Sequence, residues 1–191
     1  MTTTPAPVRH LVIKQRFGLG KRYEIRESDA EGTLGTLIGF AQQKRFKLKE
    51  EVTFWADDSK SQKAFSFQAR NVMDLSSVAD IKDANGEPLG TFRKDFKASL
   101  LSSTWYLSQE GLEGEYKGQE SSNFNAILRR FTSFDFIPYN FDFVRPDGAP
   151  AFSITRKWGA RDLYKIPVYD SQLDARVIGT MGVALDALQG R

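Results

Sequence analysis

Three segments of this chain repeat one local grammar, and that repetition constrains the fold more than any other feature. Each has an alternating strand, a turn built on Asp and Gly, a second strand, and then a basic-aromatic step. The first runs from Tyr23 to Glu27, turns at Asp29 to Gly32, continues from Thr33 to Ile38 and reaches Lys44, Arg45 and Phe46. The second runs from Val78 to Lys82, turns at Asp83 to Gly86, continues from Glu87 to Phe92 and reaches Arg93, Lys94 and Phe96. A looser third runs from Phe141 to Arg145, turns at Asp147 and Gly148, continues from Ala149 to Thr155 and reaches Arg156, Lys157 and Trp158. Such a turn closes a tight hairpin, because Asp accepts local backbone hydrogen bonds and Gly takes a positive φ at no steric cost. The turn glycines Gly32, Gly86 and Gly148 are unevenly spaced, which argues against a strict solenoid or propeller.

Further hairpins fill the gaps. Val52 to Trp55 and Ala64 to Arg70 flank a polar stretch and alternate with period two, and Ser103 to Leu107 with Gly114 to Lys117 reads as another pair. Strands recurring this regularly, with no long helix between them, indicate a closed or nearly closed antiparallel sheet. Two segments depart from the pattern. Phe124, Ile127, Leu128 and Phe131 have helical spacing after Ser122 and predict a short amphipathic helix. The C-terminal stretch of about 171–189 predicts a second helix that is apolar nearly all round, with Leu173, Val177, Ile178, Met181, Val183, Leu185 and Leu188 in it. Ser171 to Asp174 has capping-box spacing before it. A helix apolar on every side is a buried helix.

At 191 residues, 40% of them hydrophobic, the chain has the length and apolar content for one large core, here expected over 11–191. Residues 1–10 have no apolar core of a signal peptide and read as a disordered lead-in, so the expected location is cytoplasmic. The most apolar run, Val177 to Leu185, is about half of the ~18 residues needed to span a bilayer and stops at Asp186. There is no Cys, which removes disulfides, thiolate metal sites and cysteine nucleophiles together. Charge is nearly balanced, with 27 basic and 24 acidic residues interspersed, and no nucleic-acid motif accompanies the aromatics.

The hairpins with their basic-aromatic steps, followed by a capped apolar helix, resemble the tubby C-terminal-like superfamily, and within it the LURP-one-related proteins and phospholipid scramblases. The resemblance implies a barrel of about twelve antiparallel strands threaded by the terminal helix. It also implies, more loosely, recognition of phospholipid or phosphoinositide headgroups, as tubby proteins perform; many LURP-one-related proteins have no established activity. The pattern departs from the lipid-moving relatives in having no cysteine-rich anchor, and Asp170 and Asp174 are too few for a calcium site of six to eight oxygens.

No constellation for catalysis stands out. His10 is the one histidine and falls in the expected lead-in, where it reads as an ordinary tail residue, so neither a Ser-His-Asp triad nor a histidine metal cluster is expected. Phe17 to Lys21 has the glycines of a phosphate loop without its full spacing and reads as a turn. No metal, cofactor or enzymatic activity is expected. The candidate ligand-binding residues are instead the three basic clusters: Lys44, Arg45 and Lys47; Arg93, Lys94 and Lys97; Arg156, Lys157 and Arg161. Gathered on one rim they would form a positive patch, each charge contributing about 1 kcal/mol near an anionic membrane surface. The competing reading is that they solubilise strand ends while Phe46, Phe96 and Trp158 pack inward. The expected function is therefore a non-catalytic module that binds anionic lipid peripherally at the inner membrane surface. The alternative is a structural or protein-interaction scaffold presenting loops such as Glu110 to Ser121 to a protein partner.

Overall fold

The structure, a computed structural model, describes residues 5–16, 20–43, 51–71, 78–95, 103–121, 140–157 and 163–189. Twelve strands form a closed barrel: β1 (Arg9–Arg16), β2 (Lys21–Ser28), β3 (Leu34–Gln43), β4 (Val52–Trp55), β5 (Lys63–Ala69) and β6 (Ala79–Asp83). They are followed by β7 (Pro88–Asp95), β8 (Thr104–Gln109), β9 (Tyr116–Glu120), β10 (Asn140–Val144), β11 (Pro150–Lys157) and β12 (Leu163–Val168). Every strand pairs antiparallel with its sequence neighbour, and β1 closes the ring on β12 from Arg9↔Val168 to Lys14↔Leu163. The helix α1 (Ala175–Gln189) follows β12. The expected short helix at 122–131 and the glycines at 18–20 fall wholly or mostly outside the described residues.

The alternation read from the sequence becomes an inside and an outside. Leu11 and Ile13 of β1, Phe65 and Phe67 of β5, and Phe152 and Ile154 of β11 belong to one buried core. Between them, Arg22, Glu24 and Arg26 of β2, Asp80 and Lys82 of β6, and Lys117 of β9 alternate with inward residues and occupy the outer face. This is the inverse of a lipid-facing barrel, whose outer band is apolar. No helix among the described residues is long and apolar enough to cross a membrane.

The hairpin chemistry is as the residues predict. Asp29 Oδ1 accepts from the backbone N–H of Gly32 and of Thr33, both at 2.7 Å, which holds its carboxyl below the usual carboxylate range. Asp83 Oδ1 accepts from Asn85 and Glu87, and Asp147 Oδ1 from Ala149. Gly32, Gly86 and Gly148 all have positive φ, at 97°, 90° and 85°. The three hairpins are β2–β3, β6–β7 and β10–β11, so they recur every fourth strand, a third of the way round the barrel each time.

The helix fills the barrel. Val177, Ile178, Met181, Val183, Ala184 and Leu185 are all 0% exposed, as an all-round apolar helix requires. Its glycines lie tight against the wall: a Cβ on Gly179 would sit 2.7 Å from Ile25 Cγ2, and one on Gly182 would meet Ile13.

Two boundaries differ from the sequence reading. The cap of the helix is Asp174, not Ser171, because Asp174 Oδ1 accepts from Arg176 N at 2.8 Å while its carbonyl accepts from Ile178. Residues 170–173 form a separate turn, with Asp170 Oδ1 accepting from Gln172 N. At the other end of the chain, β1 starts at Arg9, so His10 is a strand residue opposite Ser28 and Pro167 and not part of a tail.

Candidate functional site

Antiparallel pairing all round gives the barrel two chemically distinct ends. Odd-numbered strands all run toward the end where α1 finishes, called here the upper end, and the hairpin turns after even-numbered strands β2, β4, β6, β8 and β10 lie at the lower end. The first basic cluster follows β3, whereas Arg93 and Lys94 lie within β7 and Arg156 and Lys157 within β11; all three strands are odd, so the chain leaves each of them at the upper rim, at Gln43, Asp95 and Lys157. Four strands separate each exit from the next. With strands ~4.8 Å apart and tilted ~40°, a twelve-stranded barrel has a radius of about 12 Å, which places exits a third of the circumference apart roughly 20 Å from one another. The three strand exits therefore share a rim without converging on one point. Lys44, Arg45, Lys47, Lys97 and Arg161 lie outside the described residues.

The four described candidates are split by strand alternation. Arg93 is on the outer wall: its guanidinium lies 4.1 Å over the Tyr106 ring and donates to both carboxylate oxygens of Glu115, at 2.8 and 3.2 Å, which raises its pKa. Lys94 shares the inward-facing set with Phe92, and its Nζ lies 5.7 Å over the ring of Trp105, the residue opposite in β8. Arg156 likewise falls in the inward set with Ile154, opposite Tyr164, while Lys157 at the strand end is exposed. Neighbouring basic residues thus serve different faces. Arg93 and Lys94 are each brought over an aromatic ring, on a strand four places round the barrel from the one that carries Arg156 and Lys157.

Inside the barrel the structure assembles polar contacts that the sequence reading did not find. At the upper end, the carboxylate of Asp186 is 7% exposed. It accepts from the hydroxyls of Tyr23 and Tyr164, one on each oxygen, and Lys21 Nζ lies 3.8 Å away. Gln15 Nε2 in turn donates to the Tyr23 oxygen at 3.3 Å. A buried carboxylate near a helix C-terminus faces the negative end of the helix dipole, so the wall has to supply the donors. Read in sequence, Asp186 only ended an apolar run, and nothing local marked its partners.

At the lower end, Asp170 is 4% exposed and accepts from the Tyr116 hydroxyl at 2.9 Å, with Arg145 Nη1 at 3.7 Å. Burial, the hydrogen bond to Asp170 and that residue's charge push the Tyr116 phenol up to about 12. Gln109 brackets the start of α1, donating to Gln172 O at 2.9 Å and accepting from Asp174 N at 2.6 Å. Arg9 Nη2 donates to Leu173 O at 2.5 Å. Asp170 and Asp174 are thus committed to protein donors. Both ends of the helix are tied to the wall by side-chain hydrogen bonds. Among the described residues no group of three or more His, Cys, Asp or Glu is placed to hold a metal ion.

A comparison with curated proteins and one with solved structures each find no match to this chain. A family model does match. That of the LURP-one-related proteins covers residues 38–186, from within β3 to the Asp186 that latches the helix, so the chain belongs to the LURP-one-related family.

Proposed function

We propose that this domain is a non-catalytic binding module that meets an anionic lipid surface through its upper rim, within the wider kinship to tubby-like and scramblase proteins that its residue pattern suggests. The observation that carries the reading is topological. Strands β3, β7 and β11, at or beyond whose ends the three basic-aromatic segments fall in the sequence, all end on one rim, evenly spaced around it. Three points roughly 20 Å apart match a continuous charged surface better than one small headgroup, which could touch only one of them. Each charge near such a surface contributes about 1 kcal/mol, so weak, salt-sensitive, additive attraction is the expected behaviour. A filled core, with both helix ends latched, supports a binding role over a catalytic one.

The test is co-sedimentation of the full chain with vesicles of phosphatidylcholine alone and of equal parts phosphatidylcholine and phosphatidylserine, at low and at physiological salt. Binding only to the mixed vesicles, weakened by salt and weakened further by Lys44→Glu with Lys157→Glu, is the expected result. Absence of binding at either salt removes the lipid reading. Retention of a protein partner by the same double variant favours a scaffold instead. In that case the presenting loop is 110–115 only, because residues 116–120 of the stretch from Glu110 to Ser121 form strand β9.

A further inference from the structure

We infer that the outer wall formed by β11, β12, β1 and β2 is a docking face for a short acidic segment of a partner protein, a site separate from the rim and independent of the lipid reading above. The observation is a lateral asymmetry of charge round the ring. Strands β11, β12 and β1 to β4 follow one another round half of the barrel and carry nine Lys or Arg against two Glu, whereas β5 to β10 carry five basic and five acidic residues. Strand alternation sorts the nine. Arg9 reaches Leu173 O, Lys21 approaches Asp186, and Arg156 belongs to the inward set. The other six, Lys14, Arg16, Arg22, Arg26, Lys157 and Lys165, alternate with core residues and occupy the outer face.

Register gathers the six into three adjoining rows. Arg26, Val12 and Lys165 lie side by side, then Glu24, Lys14, Leu163 and Lys157, then Arg22 and Arg16. With ~4.8 Å between strands and ~3.3 Å per residue the rows cover roughly 14 Å by 13 Å, so neighbouring cations stand within about one Debye length at physiological salt and their fields add. Glu24 is the one carboxylate in these rows, and it is already paired to Arg16 and to Arg26, at 3.1 Å each. The patch therefore carries six cations and one carboxylate, a net +5. Among the described residues none forms an ion pair with Lys14, Arg22, Lys157 or Lys165, and Arg22 Nε is buried with no hydrogen-bond partner. Cations on the other half are neutralised in place: Lys63 pairs with Glu51 at 2.7 Å, Arg70 with Asp80 at 2.7 Å and Arg93 with Glu115 at 2.8 Å.

The border of the patch selects the partner. Glu27 on β2 and the turn that holds Asp29 and Glu31 edge it at the lower end, where Lys165 Nζ lies 3.1 Å from the place a Cβ on Gly32 would take. On the same edge, just before β1 and at the start of β3, are Val8 and Leu34, 59% and 37% exposed and the only exposed large hydrophobic residues among those described. A uniformly anionic plane laid on this wall would press on the three carboxylates as well as the cations and offer Val8 and Leu34 nothing apolar. A peptide can set carboxylates against the cations and an apolar side chain against that edge. From Val8 to Arg16 the wall spans about 26 Å at ~3.3 Å per residue, the reach of about eight extended residues. The basic patch covers about 200 Å², a quarter of the ~800 Å² each partner buries in a standard interface, so it fits a short segment and not a folded domain. Because the ring is closed, the segment lies across side chains and adds no strand.

The probe is a synthetic N-acetylated peptide of that length with Glu at alternate positions, Leu at both ends and a fluorophore; its Gln counterpart is the control. Carbodiimide activates a probe carboxyl, and a lysine amine displaces it as the urea to leave an amide, so mass mapping of the full chain shows which lysines the probe touches. The expected result is cross-linking at Lys14, Lys157 and Lys165 several-fold above that at Lys63, Lys82 and Lys117 on the other half. In fluorescence anisotropy at low salt, Lys14→Glu with Arg22→Glu and Lys165→Glu should weaken the probe by about tenfold or more, and Lys63→Glu with Lys82→Glu and Lys117→Glu, an equal change in net charge, by no more than about threefold. Even cross-linking over both halves, equal weakening by the two variants, equal binding of the Gln peptide, or no binding overturns the inference. Shielding of the three wall lysines from acetylation by phosphatidylserine vesicles, with no probe cross-linked there, also overturns it and makes the wall a lipid face. The cross-link map is read on the native chain, so it decides the matter even where a triple variant fails to fold.

Discussion

The substitution Gly179→Ala sets two opposed effects against each other, and the structure decides between them. In an exposed helix interior, replacing Gly by Ala stabilises by about 1 kcal/mol, because Ala loses less conformational entropy. Here the new Cβ would lie 2.7 Å from Ile25 Cγ2, 2.8 Å from Cδ1 and 3.3 Å from Cγ1, with Ile25 itself 0% exposed. Ile is branched at Cβ and stiff about χ1, so two of those three atoms cannot swing aside without moving the strand. Overpacking of this kind costs ~1–3 kcal/mol, so the net expectation is destabilisation by up to about 2 kcal/mol, a fall in Tm of a few degrees for a chain this long. Urea unfolding of the full chain measures it. The contact itself is tested by a double-mutant cycle: Ile25→Ala alone should cost ~2–5 kcal/mol, and in that background Gly179→Ala should stabilise, a coupling of at least about 1 kcal/mol. Stabilisation by Gly179→Ala alone, or strict additivity of the pair, would refute close helix-to-wall packing as the reason for a glycine there.

Other perturbations probe the plug and its latches. Leu185→Asp places an unpaired charge in the barrel interior and should abolish soluble folding, and an unchanged melting temperature would show that the helix is dispensable. Tyr164→Phe removes a hydroxyl donor from the buried Asp186 carboxylate and should lower stability by about 1.5–3 kcal/mol in chemical denaturation, with Asp186→Asn partly compensating in the same background. Asp174→Ala should cost about 1 kcal/mol at neutral pH by loss of the helix cap. Burial alone would raise the Asp174 carboxyl, yet hydrogen bonds from Arg176 and its charge outweigh burial and hold it below its ordinary value of 3.8. A depressed folded pKa means the contribution is present above 3.8 and disappears as pH falls through the lower, folded value. The stability gap between the native chain and Asp174→Asn, read by thermal melts at descending pH, should accordingly close in that acidic window and stay constant above it.

Particular residues show how far local information reaches. The hairpins at Asp29, Asp83 and Asp147 were legible because a turn is closed within four residues, by an Asp oxygen and a Gly at positive φ. The interior helix was legible because its apolar residues leave no polar face. Strand β12 was not, since Pro167 interrupts its pattern, and its ladder to β11 lapses opposite that residue, which has no N–H to donate. Strand β1 lacks an Asp-Gly turn of its own, and half of its pairing is to β12 at the far end of the chain. Capping by Asp174 and not Ser171 turned on which residue the Gln109 carboxamide brackets, 65 positions away in sequence.

By itself, then, the amino-acid order determined period, turn chemistry and the need for a buried helix, all of them set by neighbours within a few positions. Tertiary structure alone decided that β3, β7 and β11 end on a common rim at thirds of its circumference, and that Arg93 and Lys94 serve opposite faces of the wall. It also brought Tyr23 to Asp186, 163 residues apart. The physical reason is closure: in an all-antiparallel ring every strand's direction follows from its number, so which end a loop occupies becomes known only once the last strand has paired with the first.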